Sequence, residues 1–428
     1  MRIPEYLAKA DNYTRERLNL PLASLVFWVA YCLLLVIHCI ENTSLIYQNL
    51  PWMEGVYLLR NILYIVLLVK AGFLTAYRPR ELWFILGILV STTLCVICSG
   101  DFTPMEFALI AIAAKDVSAR QLVKVFSLIK AVAIVLTLAL FAVKVLPTIY
   151  YENTNDVNNT FGFCHRNVLG ANMYVLCLSW FWLRYRKLCK WDYIAWGVLS
   201  IATYLLADSR TTLLMMVMII GLFFLLRWKE TVILDWPHLR KVLLGFFLAL
   251  FLISLICTIY YKRWNVFWEF VDKIFTKRLR FAHNCLDEYG LSLFGQRIQF
   301  VSTLQAQLES DVDRLILDNA YMRVLLYNGI IPCLIALTVY LKSLNRAWKK
   351  KSGAMMAALL IMAVCGFSER FMLDVHYNFP LLISCMTLLC SSKADKGDFR
   401  LPFAYAAEVI QRIIHWYKTR HPRKPEAE

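Results

Sequence analysis

Between residues 261 and 321 the chain reads YKRWNVFWEFVDKIFTKRLRFAHNCLDEYGLSLFGQRIQFVSTLQAQLESDVDRLILDNAY, the one long polar interval among its hydrophobic runs. An aromatic run with basic neighbours, residues 264–281, predicts an amphipathic helix lying in the membrane interface. The interval continues through Phe294-Gly295-Gln296-Arg297 and ends in Asp318-Asn319-Ala320-Tyr321, where the next apolar run begins. We therefore expect the rest of the chain to be a scaffold that holds this loop.

The composition of the chain is that of an integral membrane protein. Of its 428 residues 60% are hydrophobic and 14% aromatic, and the mean hydropathy is +0.55, whereas soluble proteins are about 45–50% apolar. The net charge of +16 is scattered over short loops without a nucleic-acid-binding motif. Such an excess reflects retention of Lys and Arg on the cytoplasmic side, so we expect no nucleic acid as a partner. The polar first 20 residues predict no cleaved signal peptide.

Apolar runs of the length that crosses a bilayer as a helix, about 20 residues, recur along the chain. Together with shorter runs that neighbours could shelter, they predict an all-α fold, a polytopic membrane helical bundle of about 12 transmembrane helices. The predicted spans are residues 22–40, 55–73, 82–98, 104–114, 127–146, 168–183, 192–207, 211–227, 242–260, 318–341, 354–371 and 376–392.

The basic residues alternate between successive loops. Seven segments on one side, among them the loop at 115–130, hold 31 of the 46 lysines and arginines, whereas the loops at 41–54 and 99–104 hold none. Positive charge marks the cytoplasmic side. We therefore expect a multi-pass protein of the cytoplasmic (inner or plasma) membrane with both termini in the cytoplasm.

This topology divides the chain into two regions. Residues 1–392 form the predicted membrane domain, with one large external loop at 261–317. Residues 393–428 form the predicted cytoplasmic tail, in which 401–418 has the pattern of an amphipathic helix on the inner membrane surface.

The 13 cysteines do not predict a metal site. One CxxC pair, Cys95 and Cys98, has no second pair or His partners at metal spacing. Cys164 and Cys285 fall in predicted external loops, where they could form a disulfide or remain two free thiols. We expect neither a metal nor a cofactor.

Two arginines of the external loops are candidates for binding a phosphate or diphosphate. Arg210 lies in a tight hairpin between two spans, and Arg297 follows the turn at Gly295. The donor fork of arginine suits phosphate oxygens. For Arg210 the alternatives are an arginine that extends to the membrane interface or one paired with Asp208, and for Arg297 the alternative is a solvated loop arginine.

The same side of the membrane carries candidate bases and further polar residues. Asp318 could deprotonate a hydroxyl or simply cap a helix, and His165 and His376 are rival bases, each with a structural alternative. The candidates for substrate binding are Asn319, Tyr321, Asn167, Glu369 and Arg166.

Several features resemble a known family: one large external loop in the C-terminal third, an arginine in a short hairpin, a second arginine in the loop, and Asp318-Asn319-Ala320-Tyr321 followed by Asn328-Gly329-Ile330. This pattern, over roughly residues 160–380, is similar to the O-antigen and capsular polysaccharide polymerases (Wzy-type), which are related to the O-antigen ligases. Asp318 stands where ligase-like members have histidine.

The resemblance implies a metal-independent glycosyltransferase with a GT-C-like fold. Such an enzyme joins polyprenyl-diphosphate-linked oligosaccharide repeat units into surface polysaccharide, O-antigen or capsule, at the outer membrane face. Arg210 and Arg297 would then hold the diphosphate and stabilise it as it leaves. The implied partners are the lipid-linked oligosaccharide, the bilayer, and a chain-length regulator and flippase of the same pathway.

Two other functions stay open at this point. One is an O-antigen-type ligase that transfers the glycan to another acceptor. The other is a polytopic flippase or transporter, which would concentrate polar residues and helix breaks near the bilayer midplane. The apolar runs are mostly uninterrupted and the polar groups cluster at their ends, which favours chemistry at the membrane face.

Overall fold

The computed structural model describes residues 11, 13–14, 21–48, 50–147, 160–262, 264–274, 278–301, 315–389 and 402. Within these residues every regular element is a helix, and strand-like pairing is limited to two isolated bridges, Thr43 with Phe163 and Val301 with Leu315. The prediction of an all-α fold is confirmed for this part of the chain. The predicted tail helix lies outside the described residues, apart from Pro402.

The longer helices are numbered in chain order. They are α1 (Leu22–Glu41), α2 (Trp52–Phe73), α3 (Pro79–Ser99), α4 (Thr103–Ala113), α5 (Ala119–Ala142), α6 (Arg166–Arg184), α7 (Lys190–Ala207), α8 (Arg210–Trp228), α9 (Leu239–Tyr260), α10 (Val266–Ile274), α11 (Arg278–Tyr289), α12 (Ile330–Lys349), α13 (Gly353–Ser368) and α14 (Phe379–Leu389). Shorter helical turns lie at Ser44–Gln48, Tyr185–Lys187, Glu230–Leu234, Ala320–Met322, Arg323–Tyr327 and Phe371–Leu373.

Seven of these helices are long and apolar enough to cross a membrane: α1, α2, α3, α5, α8, α9 and α12. The helices α4, α13 and α14 are apolar but shorter. Membrane-spanning character is thereby confirmed within the described residues, whereas a total of about 12 spans stays a prediction. Each predicted span nevertheless overlaps a helix, because long apolar runs without Pro or Gly clusters favour helical hydrogen bonding in lipid.

Polar side chains at helix starts fix where several helices begin. Ser118 accepts a hydrogen bond from the N–H of Gln121 at the start of α5, and Ser209 accepts one from the N–H of Thr212 at the start of α8. Such caps satisfy N–H groups that have no partner within the helix.

Helix α5 begins eight residues before the predicted span, so the prediction of a loop over 115–130 is wrong from Ala119 onward. Leu122, Val123 and Phe126 are fully buried on one face of this helix. Lys130 is only 1% exposed, and its Nζ donates to Asn172 Oδ1 over 2.7 Å. The basic residues of this stretch misled the prediction because a lysine was assumed to lie outside the bundle.

The predicted span 318–341 is not one continuous helix. Ala320–Met322 continues into a π-helical turn, Arg323–Tyr327, and the chain then breaks at Asn328 and Gly329 before α12. Gly329 has φ +99°, which L side chains rarely adopt. The helix must therefore stop and restart at this glycine.

The predicted interfacial helix over 264–281 is instead two helices with different surroundings. In α10, Val266, Phe267 and Phe270 are exposed, as expected for a helix lying in an interface. In α11, Leu279 and Phe281 are buried, and the helix packs on α9. The prediction is thus wrong for residues 278–281, which belong to α11 and to the body of the protein.

One cluster of buried apolar residues runs through the middle of the bundle. At its centre the rings of Phe247 in α9 and Tyr340 in α12 stack with centroids 4.3 Å apart. The loops that join the helices at one end are connected by polar contacts, such as Asn328 to Asp101 and Asn42 to Tyr377. This end of the bundle is termed the Asp101 end, and it carries the candidate site.

Candidate functional site

Arg278, at the start of α11, lies between two carboxylates from distant parts of the chain. Its Nη2 donates to Glu369 Oε1 over 3.1 Å, and its Nε lies 3.8 Å from Asp318 Oδ2. The side chains of Arg278 and Glu369 are each 12% exposed, and that of Asp318 is 31% exposed. Within the described residues the buried Nε of Arg278 has no hydrogen-bond partner. The cluster therefore holds an arginine and two carboxylates together, largely buried, at the Asp101 end.

Glu369, one residue past α13, is placed to exchange a proton at neutral pH. Burial is the main cause that raises the pKa of Glu369 to about 7, with Arg278 and Arg370 opposing the rise and Asp318 adding to it. A carboxyl group whose pKa lies near the working pH can serve as a general base or acid.

A second pair, Arg323 and Asp101, lies at the π-helical turn. Arg323 Nη2 is 3.5 Å from Asp101 Oδ2, and Asn328 Nδ2 donates to the same oxygen over 3.0 Å. Burial alone would raise the pKa of Asp101, but Arg323 and the hydrogen bonds from Asn328 and Thr103 hold it below its ordinary value. Asp101 is therefore ionised and fixes the arginine.

Two aromatic rings also lie close to the guanidinium of Arg323. Its guanidinium carbon lies 5.2 Å from the centroid of Phe300 and 4.9 Å from that of Tyr327. Cations over aromatic faces are attracted to the ring quadrupole. π-Helical turns are frequent at functional sites, and this one carries Arg323 at the Asp101 end.

Two glycines dock the external loop onto the helix break. A Cβ at Gly295 would lie 2.5 Å from the carbonyl oxygen of Tyr327, and a Cβ at Gly329 would lie 2.3 Å from the amide nitrogen of Gly295. Both glycines have positive φ, +97° and +99°. The two motifs that lie far apart in the sequence, Phe294-Gly295 and Asn328-Gly329, thus form one backbone-to-backbone contact.

Hydrogen bonds complete this contact. The N–H of Ile330 donates to the carbonyl of Ser292 over 2.9 Å, and the N–H of Ile331 donates to the carbonyl of Leu293 over 3.0 Å. The loop thereby caps the first turn of α12, whose N–H groups lack helical partners.

The two predicted diphosphate-binding arginines are exposed. Arg210 begins α8, after Asp208 with φ +43°, and Arg297 follows the docked loop. In the described part of the chain no contact joins either of them to the cluster around Arg278. Their role in binding a phosphate stays a prediction.

Of the predicted bases, the structure brings Asp318 together with Glu369 and places the two histidines elsewhere. His165 caps α6, where its Nδ1 accepts from the N–H of Asn167 over 3.1 Å. His376 is 4% exposed, and its Nε2 lies 2.9 Å from Glu106 Oε1. The side chain of Arg166 lies outside what the structure describes.

Asn319 and Tyr321 make structural contacts. Asn319 is 3% exposed; its Oδ1 accepts from the N–H groups of Tyr321 and Met322, and its Nδ2 donates to Ser254. Tyr321 is 1% exposed and donates its O–H to the carbonyl of Ala363 over 2.7 Å. These contacts occupy both side chains, so substrate binding by them stays a prediction without support from the geometry.

Sequence reasoning missed Arg278, Arg323 and Asp101 as site residues. A signal for Arg323 was present, because a charged residue inside a predicted span usually faces a site or a buried partner. Asp101 is the only charged residue in a short loop, which gave little indication of its role. Arg278 was treated as part of the basic face of an interfacial helix.

The described residues contain no group of three or more His, Cys, Asp or Glu side chains that could hold a metal ion, and their cysteines, Cys164 and Cys285 included, are free thiols. No protein-family model matches the chain, and no curated protein or solved structure is similar to it.

Proposed function

We propose that this protein is a membrane glycosyltransferase of the GT-C type that polymerises polyprenyl-diphosphate-linked oligosaccharide repeat units into surface polysaccharide, O-antigen or capsule. The observation that carries the proposal is the placement of Arg278 between Asp318 and Glu369 at the Asp101 end. Under the topology expected from the basic loops, this end faces the outside of the cytoplasmic membrane.

The reaction needs a base for the acceptor hydroxyl and positive charge for the leaving diphosphate. Glu369 has a pKa of about 7 and would accept the hydroxyl proton. The acceptor oxygen then forms a bond to the anomeric carbon while the bond from that carbon to the diphosphate oxygen breaks. The diphosphate leaves with the bonding electrons, and arginines stabilise its charge.

The exposed arginines of the Asp101 end suit this second role. Arg370 is exposed and follows Glu369 directly, and its charge interacts with that of Arg323. Arg210 and Arg297 are exposed as well. Since a diphosphate carries several negative charges, such donors could replace the metal ion that many sugar transferases use. A chain-length regulator and a flippase of the pathway are the partners that this function implies.

Transport is the second candidate, and one observation favours it. The helix break at Asn328 and Gly329, together with buried polar groups such as Lys130, is a feature of transporters. The mostly uninterrupted apolar runs therefore count less strongly against transport. A ligase, which needs a second acceptor, uses the same chemistry as the polymerase.

The purified protein in lipid nanodiscs, given a polyprenyl-diphosphate-linked oligosaccharide alone, tests the proposal. We expect a ladder of lipid-linked products one repeat apart, lost in Glu369→Gln and retained in Glu54→Gln, an exposed carboxylate on α2. Product that forms only after a second acceptor is added would favour a ligase. Unchanged lipid-linked oligosaccharide under both conditions would remove the glycosyltransferase proposal.

A further inference from the structure

Two histidines from distant parts of the chain stack face to face inside the Asp101 end. His38 lies near the end of α1, and His376 lies in the segment 369–378 that connects α13 to α14. Their ring centroids are 3.8 Å apart, and the ring planes differ by 8°. The stack therefore joins the first described long helix directly to the segment that begins with Glu369.

Hydrogen bonds define the protonation of the stack. Asn42 Nδ2 lies 2.8 Å from His38 Nε2 and donates to the hydroxyl of Tyr377 over 3.2 Å. An amide nitrogen is a donor, so His38 Nε2 is the acceptor and carries no proton. His38 is therefore neutral in this arrangement.

His376 is bonded on one side only. Its Nε2 lies 2.9 Å from Glu106 Oε1, which also accepts the hydroxyl of Tyr64 over 2.7 Å. An imidazole N–H donates to a carboxylate oxygen. The Nδ1 atom is buried and has no hydrogen-bond partner among the described residues, which favours a ring without a proton at that nitrogen.

The charges facing the stack are balanced when both rings are neutral. They come from α1, α2, α4, α5 and the segment itself. The acidic groups are Glu41, Glu106 and Asp374, the basic groups are Arg60, Lys130 and Arg370, and the neighbouring groups that stay neutral are Cys39, Tyr64 and Tyr377. Each proton added to the stack therefore adds uncompensated positive charge to a buried region, which is unfavourable.

We propose that His38 and His376 form a proton-sensitive clamp that positions the 369–378 segment, closed while both rings are neutral and released in acid. The carboxylate of Glu106, already counted in this balance, lies beside a first proton on His376 and offsets only part of its cost. A second would set two cations 3.8 Å apart and remove the acceptor of Asn42. Release is therefore expected in acid, where imidazole gains a proton.

The segment transmits a movement of His376 to Glu369 because it is packed as a unit. The rings of Phe371 and Tyr377 stack 4.1 Å apart, and Asn378 Nδ2 donates to the carbonyl of Met372 over 2.8 Å. In the clamp both histidines are positioning residues. Their effect on catalysis rests on the proposed function, whereas release of the segment in acid does not.

Hydrogen–deuterium exchange of peptides covering 369–378, measured in lipid nanodiscs, tests the clamp directly. Rates would be compared at pH values about one unit above and about two units below the ordinary histidine pKa of about 6.5, after correction for the intrinsic effect of pH. We expect the wild-type segment to lose about tenfold in protection on the acid side.

The double variant His38→Gln with His376→Gln keeps an amide acceptor and an amide donor but cannot titrate, so its protection should not change with pH. His283→Gln, whose imidazole pairs with Asp287 on α11, is the matched control and should behave as wild type. If the double variant does not elute as a folded protein, His38→Gln alone is measured instead, because it leaves the bond between His376 and Glu106 intact.

Equal corrected protection of the wild-type segment at both pH values, or release of the segment in the variants as large as in wild type, would overturn the clamp. Release in acid without glycan products at any pH would count against the proposed function alone. Glycan products without release would count against the clamp alone.

Discussion

The contact between Gly295 and Gly329 makes a substitution at Gly329 a sharp test of the helix break. In Gly329→Ala the new Cβ would lie 2.3 Å from the nitrogen of Gly295, 2.7 Å from the carbonyl carbon of Phe294 and 2.8 Å from the oxygen of Leu293. All three are backbone atoms, so no side-chain rotation can relieve the overlap.

The expected loss of stability has two parts. Gly329 has φ +99° and ψ 169°, a region nearly restricted to glycine, where another residue costs about 1–3 kcal/mol. Overpacking against fixed atoms adds about 1–3 kcal/mol. We therefore expect Gly329→Ala to lower the free energy of unfolding by about 2–6 kcal/mol.

Two other glycines provide matched controls. Gly290 has φ +67°, and a Cβ added there would meet no atom within 4 Å, so Gly290→Ala should cost only the left-handed conformation, about 1–2 kcal/mol. Gly87, in α3, has an ordinary φ and open space around it, so Gly87→Ala should not destabilise the protein.

The assay is thermal unfolding of the three purified variants in one detergent, and its readout is the fraction of protein that remains monodisperse at each temperature. The order of midpoints should be Gly87→Ala above Gly290→Ala above Gly329→Ala. A Gly329→Ala midpoint equal to or above that of Gly290→Ala would refute the docking of the loop on the helix break.

Three further predictions concern charged groups. Asp101→Asn leaves Arg323, whose side chain is only 17% exposed, without its counter-charge and should destabilise the protein by about 3–5 kcal/mol. Asp235→Asn breaks an exposed pair with Lys351 and should change stability by at most about 1 kcal/mol; equal effects of the two variants in a chemical-denaturation assay would contradict this dependence on exposure. The rate of glycan formation should rise with pH through about 7, because the raised pKa of Glu369 keeps the base protonated in acid; a rate that is flat across that pH, measured under single-turnover conditions, would remove Glu369 as the base. Lys130→Met removes a buried charge that has no carboxylate partner among the described residues, only the amide of Asn172 and the ring of Tyr377, and should leave the midpoint of thermal unfolding unchanged or raise it; a large fall would contradict this expectation.

The approximate positions of the helices could be predicted from the sequence because a long apolar run favours a helix in a membrane. Each predicted apolar run overlaps a helix in the structure. The predictions failed where a tertiary contact overrode the usual behaviour of a residue type. Lys130 was predicted to lie in a loop, yet it lies inside α5. Its Nζ donates a hydrogen bond to Asn172 and lies 4.6 Å from the ring centroid of Tyr377.

The site was less predictable because its residues are far apart in the chain. Asp318 and Glu369 were chosen for their position at helix ends, but nothing in the sequence places Arg278 between them. The break at Gly329 was visible as a motif, yet its partner Gly295 could be identified only from the way the loop folds back. Pairings across such distances depend on how the helices pack, which periodicity does not specify.

The long separations at the Asp101 end also determine when the site can form during synthesis. Asn328 bonds to Asp101 across 227 residues, and His376 bonds to Glu106 across 270. Asp101 and Glu106 therefore enter the membrane long before their partners leave the ribosome. A chain cut short before α13 could insert most of its helices and still lack Glu369 and His376, so the last helical hairpin, α13 and α14, completes the site.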